Sequence, residues 1–331
     1  MVAQIDAKYR SYGYRKVLRR LTSYALFEGR PHTTKGQWFN PVVFAFLRAL
    51  ALLPGIPVLD RPIFITGLGR SGTTILGVLL SLHDDVGFLN EPKAIWRMID
   101  PRHDVNGDYE PGGAIYRLGK SEVTDQARNT ANKLFGRYLS TVHANRLVDK
   151  YPELIFRVEY LLELFPDAKI IFVLRNGIDA CHSIDRWSKR LGVVKDQDVE
   201  DWWGRNDCKW NYMVDQFINK DPIYESVKAI ATKELDHLNR AALEWVITMR
   251  EGLKQCASYP ESIIQVRYEE LTKHPDKELK RLLKFCELPE KEHVHQYAEV
   301  SLYENSKKPY PFLLPGIDEL FKSTMKELGY E

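Results

Sequence analysis

The stretch Ile63-Phe64-Ile65-Thr66-Gly67-Leu68-Gly69-Arg70-Ser71-Gly72-Thr73-Thr74 reads as a short strand, a glycine turn and the start of a helix. Ile63 to Thr66 is an apolar run closed off by Arg61-Pro62 and by glycines, as expected of a strand covered on both faces. Thr73 to Leu82 carries apolar residues at helical spacing, and a second short strand is expected at Val86 to Leu89. Backbone N–H groups at such a helix start, with the positive end of its dipole, bind an anion. Glycines let the backbone close on that anion without Cβ clashes.

Three anions suit the loop. Gly67-x-Gly69-x-x-Gly72 matches the dinucleotide fingerprint, with Glu91 at the distance of a ribose ligand. That reading leaves Arg70 and Ser71 unexplained. Gly67 and Gly72 also have the spacing of a nucleoside-triphosphate loop, with Thr74 available to magnesium, but Thr73 stands where that loop needs Lys. The third reading takes Arg70-Ser71-Gly72-Thr73-Thr74 as the unit. One cation and several hydroxyls beside helix N–H groups suit a phosphate joined to a transferring group.

Outward from the loop, elements of both kinds alternate. Glu153 to Phe165 has helical spacing, Pro166-Asp167 ends it, and Lys169 to Leu174 is another buried strand. Glu234 to Leu253 is an amphipathic helix whose apolar stripe is core, and the strand Ile263 to Arg267 precedes a helix at residues 276–286. Residues 101–125 form a loop-rich insertion. The alternation predicts an α/β fold, a P-loop-like, mostly parallel sheet flanked by helices. Residues 1–60 read as a basic helical extension and residues 61–331 as the main domain, which carries the glycine loop.

Composition narrows the function classes. The 331 residues are 44% apolar and 28% charged, close to the globular average, which excludes disorder and fibrous repeats. The formal charge of +2 divides into +6 on residues 1–40 and −4 on the rest, so the body is no nucleic-acid surface. The four cysteines, Cys181, Cys208, Cys256 and Cys286, form no CxxC, so neither a disulfide scaffold nor a zinc ribbon is expected. The apolar run Val42 to Leu53 comes too late for a secretory signal, is interrupted by Arg48, and is too short to span a bilayer. Pro54, Gly55 and Pro57 close it.

The third reading of the loop resembles the phosphosulfate-binding loop of the PAPS-dependent sulfotransferases, where Arg or Lys precedes Ser-Gly-Thr-Thr. PAPS is 3′-phosphoadenosine 5′-phosphosulfate and its product is PAP. A second segment, Ile170-Ile171-Phe172-Val173-Leu174-Arg175-Asn176-Gly177 running on to Ser183, resembles the family's 3′-phosphate site. There the strand-end Arg and the Ser eight residues on hold the phosphate, which implies Arg175 and Ser183 here, with Arg186 near the nucleotide. Asn176 replaces the usual Asp and Ile178 a frequent Arg. Val266-Arg267-Tyr268-Glu269-Glu270-Leu271 is similar to a third family segment and puts Tyr268 near the cofactor.

The resemblance assigns chemistry residue by residue. Arg70, Ser71, Gly72, Thr73 and Thr74 would bind the 5′-phosphosulfate, Arg70 also neutralising the leaving group. Spacing is closest to the tyrosylprotein and bacterial branch, which has a Glu 21 residues after the loop Arg and an Arg six residues further, as Arg70, Glu91 and Arg97 are here. Glu91 is then the base and Arg97 either a partner of Glu91 or an acceptor contact, and burial is expected to raise the Glu91 pKa. Lys150, in Val148-Asp149-Lys150-Tyr151-Pro152, matches the Lys that contacts the sulfonate. Lys307 and Lys308 are candidates for a C-terminal phosphate loop, while His83 and His182 read as structural. Trp187, Trp202, Trp203 and Trp210 suit equally an aromatic lid over the acceptor or core packing.

The expected reaction is therefore sulfuryl transfer from PAPS, without a metal, to a hydroxyl of a glycan, a lipid-linked or a small molecule. A protein tyrosine is the alternative acceptor, and an NAD-type Rossmann oxidoreductase or a silent nucleotide-binding module are the rival classes. With no stem between the apolar run and the first strand, a cytoplasmic location is expected, with loose membrane contact through residues 1–60.

Overall fold

Five strands pair side by side and all in parallel, and their C-terminal ends fall along one edge. The computed structural model describes residues 3–31, 33–55, 59–109, 112–195, 197–304, 306 and 308–330, so Pro57 and Lys307 lie outside the described residues. Helices α1 (Ala7–Ser11), α2 (Tyr14–Leu26) and α3 (Asn40–Leu52) come first. Strand β1 (Ile63–Gly67), helix α4 (Thr73–Ser81), β2 (Val86–Asn90) and α5 (Lys93–Ile99) follow, with α6 (Asp125–Val142) leading into β3 (Arg146–Lys150). Helix α7 (Val158–Leu164) connects β3 to β4 (Lys169–Leu174), and α8 (Gly177–Leu191) follows.

A small antiparallel sheet then interrupts the alternation: β5 (Val193–Lys195), β6 (Asp198–Asp201) and β7 (Gly204–Arg205). After α9 (Cys208–Met213), α10 (Lys228–Ala231) and α11 (His237–Ser258), strand β8 (Ile263–Arg267) closes the main sheet. Helices α12 (Tyr268–Lys273), α13 (Pro275–Phe285), α14 (Glu292–Ser301) and α15 (Pro315–Glu327) end the chain. The main-sheet order is β2-β3-β1-β4-β8, so the glycine-loop strand β1 is central and β3 sits between it and β2.

The sheet is covered on both faces, which is why β1 and β4 are apolar almost without break. One core packs Phe64, Ile170 and Phe172 against Trp96, Phe135 and Trp245; the other packs Ile63, Ile65 and Val173 against Leu76, Leu79 and Leu282. The N-terminal segment shares both, through Phe27, Val43 and Leu47 in the first and Ile5 and Tyr9 in the second. Among the described residues no helix is long and apolar enough to cross a membrane.

Several expected boundaries move for local reasons. The helix expected from Glu153 divides into a 3-10 turn, Pro152–Arg157, and α7, since Pro152 opens the segment. The one expected from Glu234 starts at His237, where the Asp236 side chain accepts from the Asn239 N–H, and runs on to Ser258. Strand β3 and the small sheet were not expected. In Arg146 to Lys150 charged ends hide a short apolar centre, although the whole strand is buried.

Candidate active site

Every strand end on the C-terminal edge delivers a polar group to one place. In the loop after β1, Gly67 has φ +134° and an added Cβ would lie 2.6 Å from the Val173 carbonyl, so only glycine lets β1 turn so close to β4. Gly72, φ +94°, caps α4 and lies against the Tyr268 ring, which an added Cβ would meet at 2.2 Å. Arg70 between them is itself left-handed, at φ 72°.

Two openings flank this loop and share Arg70, Thr73 and Thr74 as a common wall. The first, a cleft of about 350 Å³, is also lined by Gly72, Arg175, Ser183, Arg186, Tyr268 and Lys308. Asp179 is the one carboxylate among the described residues lining it, so its field is positive. Burial, followed by the charges of Arg175 and Arg190, pushes the Arg70 guanidinium down from its ordinary pKa. Arg175 Nη1 donates to the Arg70 carbonyl at 2.5 Å and its guanidinium lies 4.7 Å from the Tyr268 ring centre. Arg70 Nε reaches Ser183 Oγ at 3.3 Å. The buried Ser71 Oγ and Arg175 Nε have no hydrogen-bond partner, the condition of groups that a bound anion would satisfy.

Asn176 departs from the usual Asp but performs a cap's work: its Oδ1 accepts from the Ile178 N–H at 2.9 Å and starts α8. Its own N–H is held by Glu269 Oε1 at 2.8 Å, and the Trp245 indole donates to the Arg175 carbonyl at 3.0 Å. Glu269 and Trp245 are thus positioning residues for Arg175, and neither was anticipated.

The second opening is a cavity of about 140 Å³. Glu91 and Lys150 face each other across it: β2 and β3 pair with Asn90 opposite Lys150, and the Glu91 N–H donates to the Lys150 carbonyl at 2.7 Å. Lys150 Nζ donates to Glu91 Oε1 as an ion pair, with the lysine buried and the carboxylate about one-third exposed. Burial would raise the Glu91 pKa, but Lys150 and then Lys93 outweigh it and bring it to about 2. The expected upward shift is therefore reversed, because two buried cations stand beside the carboxylate.

Lys93 and Lys209 also line this cavity and were missed in the sequence. Each is buried in an ion pair, Lys93 with Asp108 at 2.8 Å and Lys209 with Glu244 at 2.6 Å. The Glu91-Pro92-Lys93 spacing was the one available signal for Lys93. Five carboxylates (Glu91, Asp108, Glu153, Glu200, Asp201) meet five cations (Arg70, Lys93, Lys150, Arg205, Lys209) among the described lining residues, so the cavity is close to neutral.

The tryptophans divide between the two readings. Trp187 and Trp202 line the cavity, their rings 5.3 Å apart edge to face, while Trp203 and Trp210 are buried in the core. Arg97 is not brought to Glu91. It lies on α5, which starts only at Lys93, and lines a separate groove with Arg48 and Arg102. His83 bonds the Pro289 carbonyl at 2.9 Å, and His182 the Pro309 carbonyl at 2.8 Å on the rim of the cleft. Among the described residues no cluster of three or more His, Cys, Asp or Glu is arranged to hold a metal ion.

A family model described as "Sulfotransferase family" matches residues 62–219 and 219–292. Protein-tyrosine sulfotransferase 1 of Danio rerio is 28% identical over 247 residues, 73% of this chain and 57% of that protein. The protein-tyrosine sulfotransferase of Drosophila melanogaster is 27% identical over 243 residues, 72% of this chain and 40% of that one. The chain spans about half the length of these curated relatives. Among solved structures, a sulfotransferase domain from the Synechococcus PCC 7002 olefin synthase aligns over 84% of this chain and 98% of that one, at 16% identity and a TM-score of 0.49.

Proposed function

Because the chain belongs to the sulfotransferase family, we propose that it moves the sulfuryl group of PAPS to a hydroxyl acceptor, with Glu91 as general base. The observation that carries this reading is the common wall: Arg70, Thr73 and Thr74 border both a positive cleft and a cavity holding a half-buried carboxylate paired with a buried lysine. A donor in the cleft and an acceptor in the cavity would meet at those three residues. The dinucleotide reading of the glycines gives way to the family match, and Glu91, paired with Lys150, is not free for a ribose.

Bound PAPS supplies an activated sulfuryl group on a phosphate leaving group. Arg175, Ser183 and Arg186 would hold its 3′-phosphate, and Tyr268 would border the nucleotide. Ser71, Thr73, Thr74 and the N–H groups of the α4 start would bind the 5′-phosphate side. Arg70 would neutralise charge as it grows on the leaving oxygen, in a site already organised to do so. No residue in this set calls for a metal.

Glu91 takes the acceptor's hydroxyl proton on a carboxylate oxygen. In the present geometry Lys150 keeps that carboxylate weakly basic. Turning the Lys150 ammonium toward a sulfonate at the common wall would remove the largest lowering influence and leave burial, which raises the pKa, opposed by Lys93 and Lys209. Lys150 would thereby serve both as a charge on the sulfonate and as the switch that makes Glu91 a base.

The near-neutral cavity with Trp187 and Trp202 in its wall favours an uncharged hydroxyl compound, a glycan, a lipid-linked or a small molecule. The relatives named protein-tyrosine sulfotransferase favour a protein tyrosine as the second reading. A cytoplasmic location belongs to the same proposal.

Thermal unfolding with PAP tests the donor site. At about 100 times its Kd a ligand adds about 2.7 kcal/mol to the native state, a rise of several degrees in Tm. The rise is expected with PAP, absent with NADH, and lost in Arg175→Ala. No shift with PAP, or a shift that Arg175→Ala retains, would overturn the assignment.

A further inference from the structure

Helix α3 turns an apolar face outward. Trp38, just before it, is 80% exposed, Val42 50%, Leu52 84% and Leu53 43%. Pro41, Ala45 and Ala49 fill the intervals, and Arg48 is the one charged side chain on that exposed stripe. The opposite face, with Val43 and Leu47, is wholly buried against the core. A helix apolar on both faces, in contact with its own protein on only one, has a second apolar or interfacial environment to meet.

Charge identifies that environment. From Gly29 to Leu59 the sequence contains no Asp or Glu, while Lys35 and Arg48 are basic and exposed. At the C-terminal end of α3, Lys133 donates to the Ala51 carbonyl at 3.0 Å and Arg137 to the Pro54 carbonyl. Arg48 also lines, with Arg97 and Arg102, a groove of about 590 Å³ in which Asp100 is the one carboxylate among the described lining residues. Basic residues around an apolar stripe ending in Trp and Leu are the pattern of a helix lying in an anionic lipid surface. With 13 residues α3 is about 20 Å long, too short to span a hydrocarbon core of about 30 Å.

We infer that the exposed face of α3, with Trp38, Leu52 and Leu53 as anchors, docks on the surface of an anionic phospholipid bilayer. A second copy of the chain suits the face less well, since a two-fold contact would set Arg48 and Lys35 against their own copies with no carboxylate from this segment between them. The docking segment is continuous with the acceptor cavity. Pro31 and Thr33 line that cavity a few residues before Trp38, so docking brings the cavity rim toward the lipid surface. The inference stands independently of the donor and acceptor proposed above.

Flotation of the full chain with vesicles tests it. The protein is expected to float with phosphatidylcholine vesicles containing about one-third phosphatidylglycerol, and to stay behind with phosphatidylcholine alone or in high salt. The combined variant Trp38→Ser, Leu52→Ser, Leu53→Ser should lose roughly a hundredfold in partitioning, and Arg48→Glu a smaller part of it. Both should keep the wild-type thermal midpoint, because all four side chains are exposed. The inference is overturned if the wild-type chain stays unbound with the anionic vesicles, or if the triple variant floats as well as wild type. It is equally overturned if light scattering finds a dimer that the triple variant dissociates.

Discussion

At the scale of single residues, Glu91, like Arg70, has an unusual backbone. It is a non-glycine residue with φ 53°, pinned by its N–H on the Lys150 carbonyl and by the Lys93 N–H on its own carbonyl, both at 2.7 Å. Such a backbone is costly and persists where its surroundings determine it, as around active sites. Replacing Glu91 by Gln keeps the shape and removes the proposed base. Turnover should fall by about 10²–10⁴-fold while the PAP-induced rise in Tm is unchanged; loss of both together would mean a structural role. Because folding lowers the Glu91 pKa to about 2, its pairing stabilises the native state above the ordinary carboxylate range and loses that contribution as pH falls through about 2. The stability gap between wild type and Glu91→Gln, measured by urea unfolding, should narrow as the solution is acidified from neutral toward that range. A gap that widened would contradict the assignment.

At the scale of elements, the small antiparallel sheet acts on the glycine loop. Trp202, between β6 and β7, donates its indole N–H to Glu244 Oε2 at 2.5 Å, and Lys209 lies 4.5 Å from the ring centre. That fixes the ring over Gly69, where an added Cβ would meet Trp202 Cη2 at 2.5 Å. Gly69 lies outside the left-handed region, so space alone decides the outcome of a substitution. Gly69→Ala should push the indole across the acceptor cavity and cost roughly 10- to 100-fold in kcat/KM for the acceptor, with PAP binding retained. In a Trp202→Ala background the same change should cost little more, and strictly additive effects would deny the contact. This sheet was illegible beforehand. Its strands are short, Val193 and Val194 are exposed, and the turn residues around Trp202 read as loop. The strand–loop–helix unit at β1 and α4 was legible because an unbroken apolar run and its glycines have few other uses.

At the scale of the whole molecule, the proposed division at residue 60 separates chemistry more than packing. All the proposed donor and sulfuryl ligands lie in residues 61–331, yet the N-terminal segment supports them. Arg20 and Glu28 form a buried pair at 2.5 Å, and the same Glu28 oxygen accepts from the Asn90 N–H at 2.8 Å, one residue before Glu91. Arg20→Met should strand that carboxylate and cost about 3–5 kcal/mol. Because residues of the segment belong to both cores, the loss should appear as a lower midpoint of a single urea transition. A separate early transition, with the PAP response intact after it, would show that the segment folds on its own.

What the sequence determined by itself is what depends on neighbours along the chain. The β1 loop with its strand and helix, and the strands β2, β4 and β8, follow from apolar runs, glycine freedom and turn residues a few positions apart. Glu91 was legible too, through its spacing from Arg70. The ionisation of Glu91, the seating of Trp202 on Gly69, and the removal of Arg97 to another groove were settled only by the tertiary structure. The first two depend on Lys150 and Glu244, which approach from β3 and α11. Burial and Coulomb energies depend on such distances in space, and no local pattern along the chain encodes them.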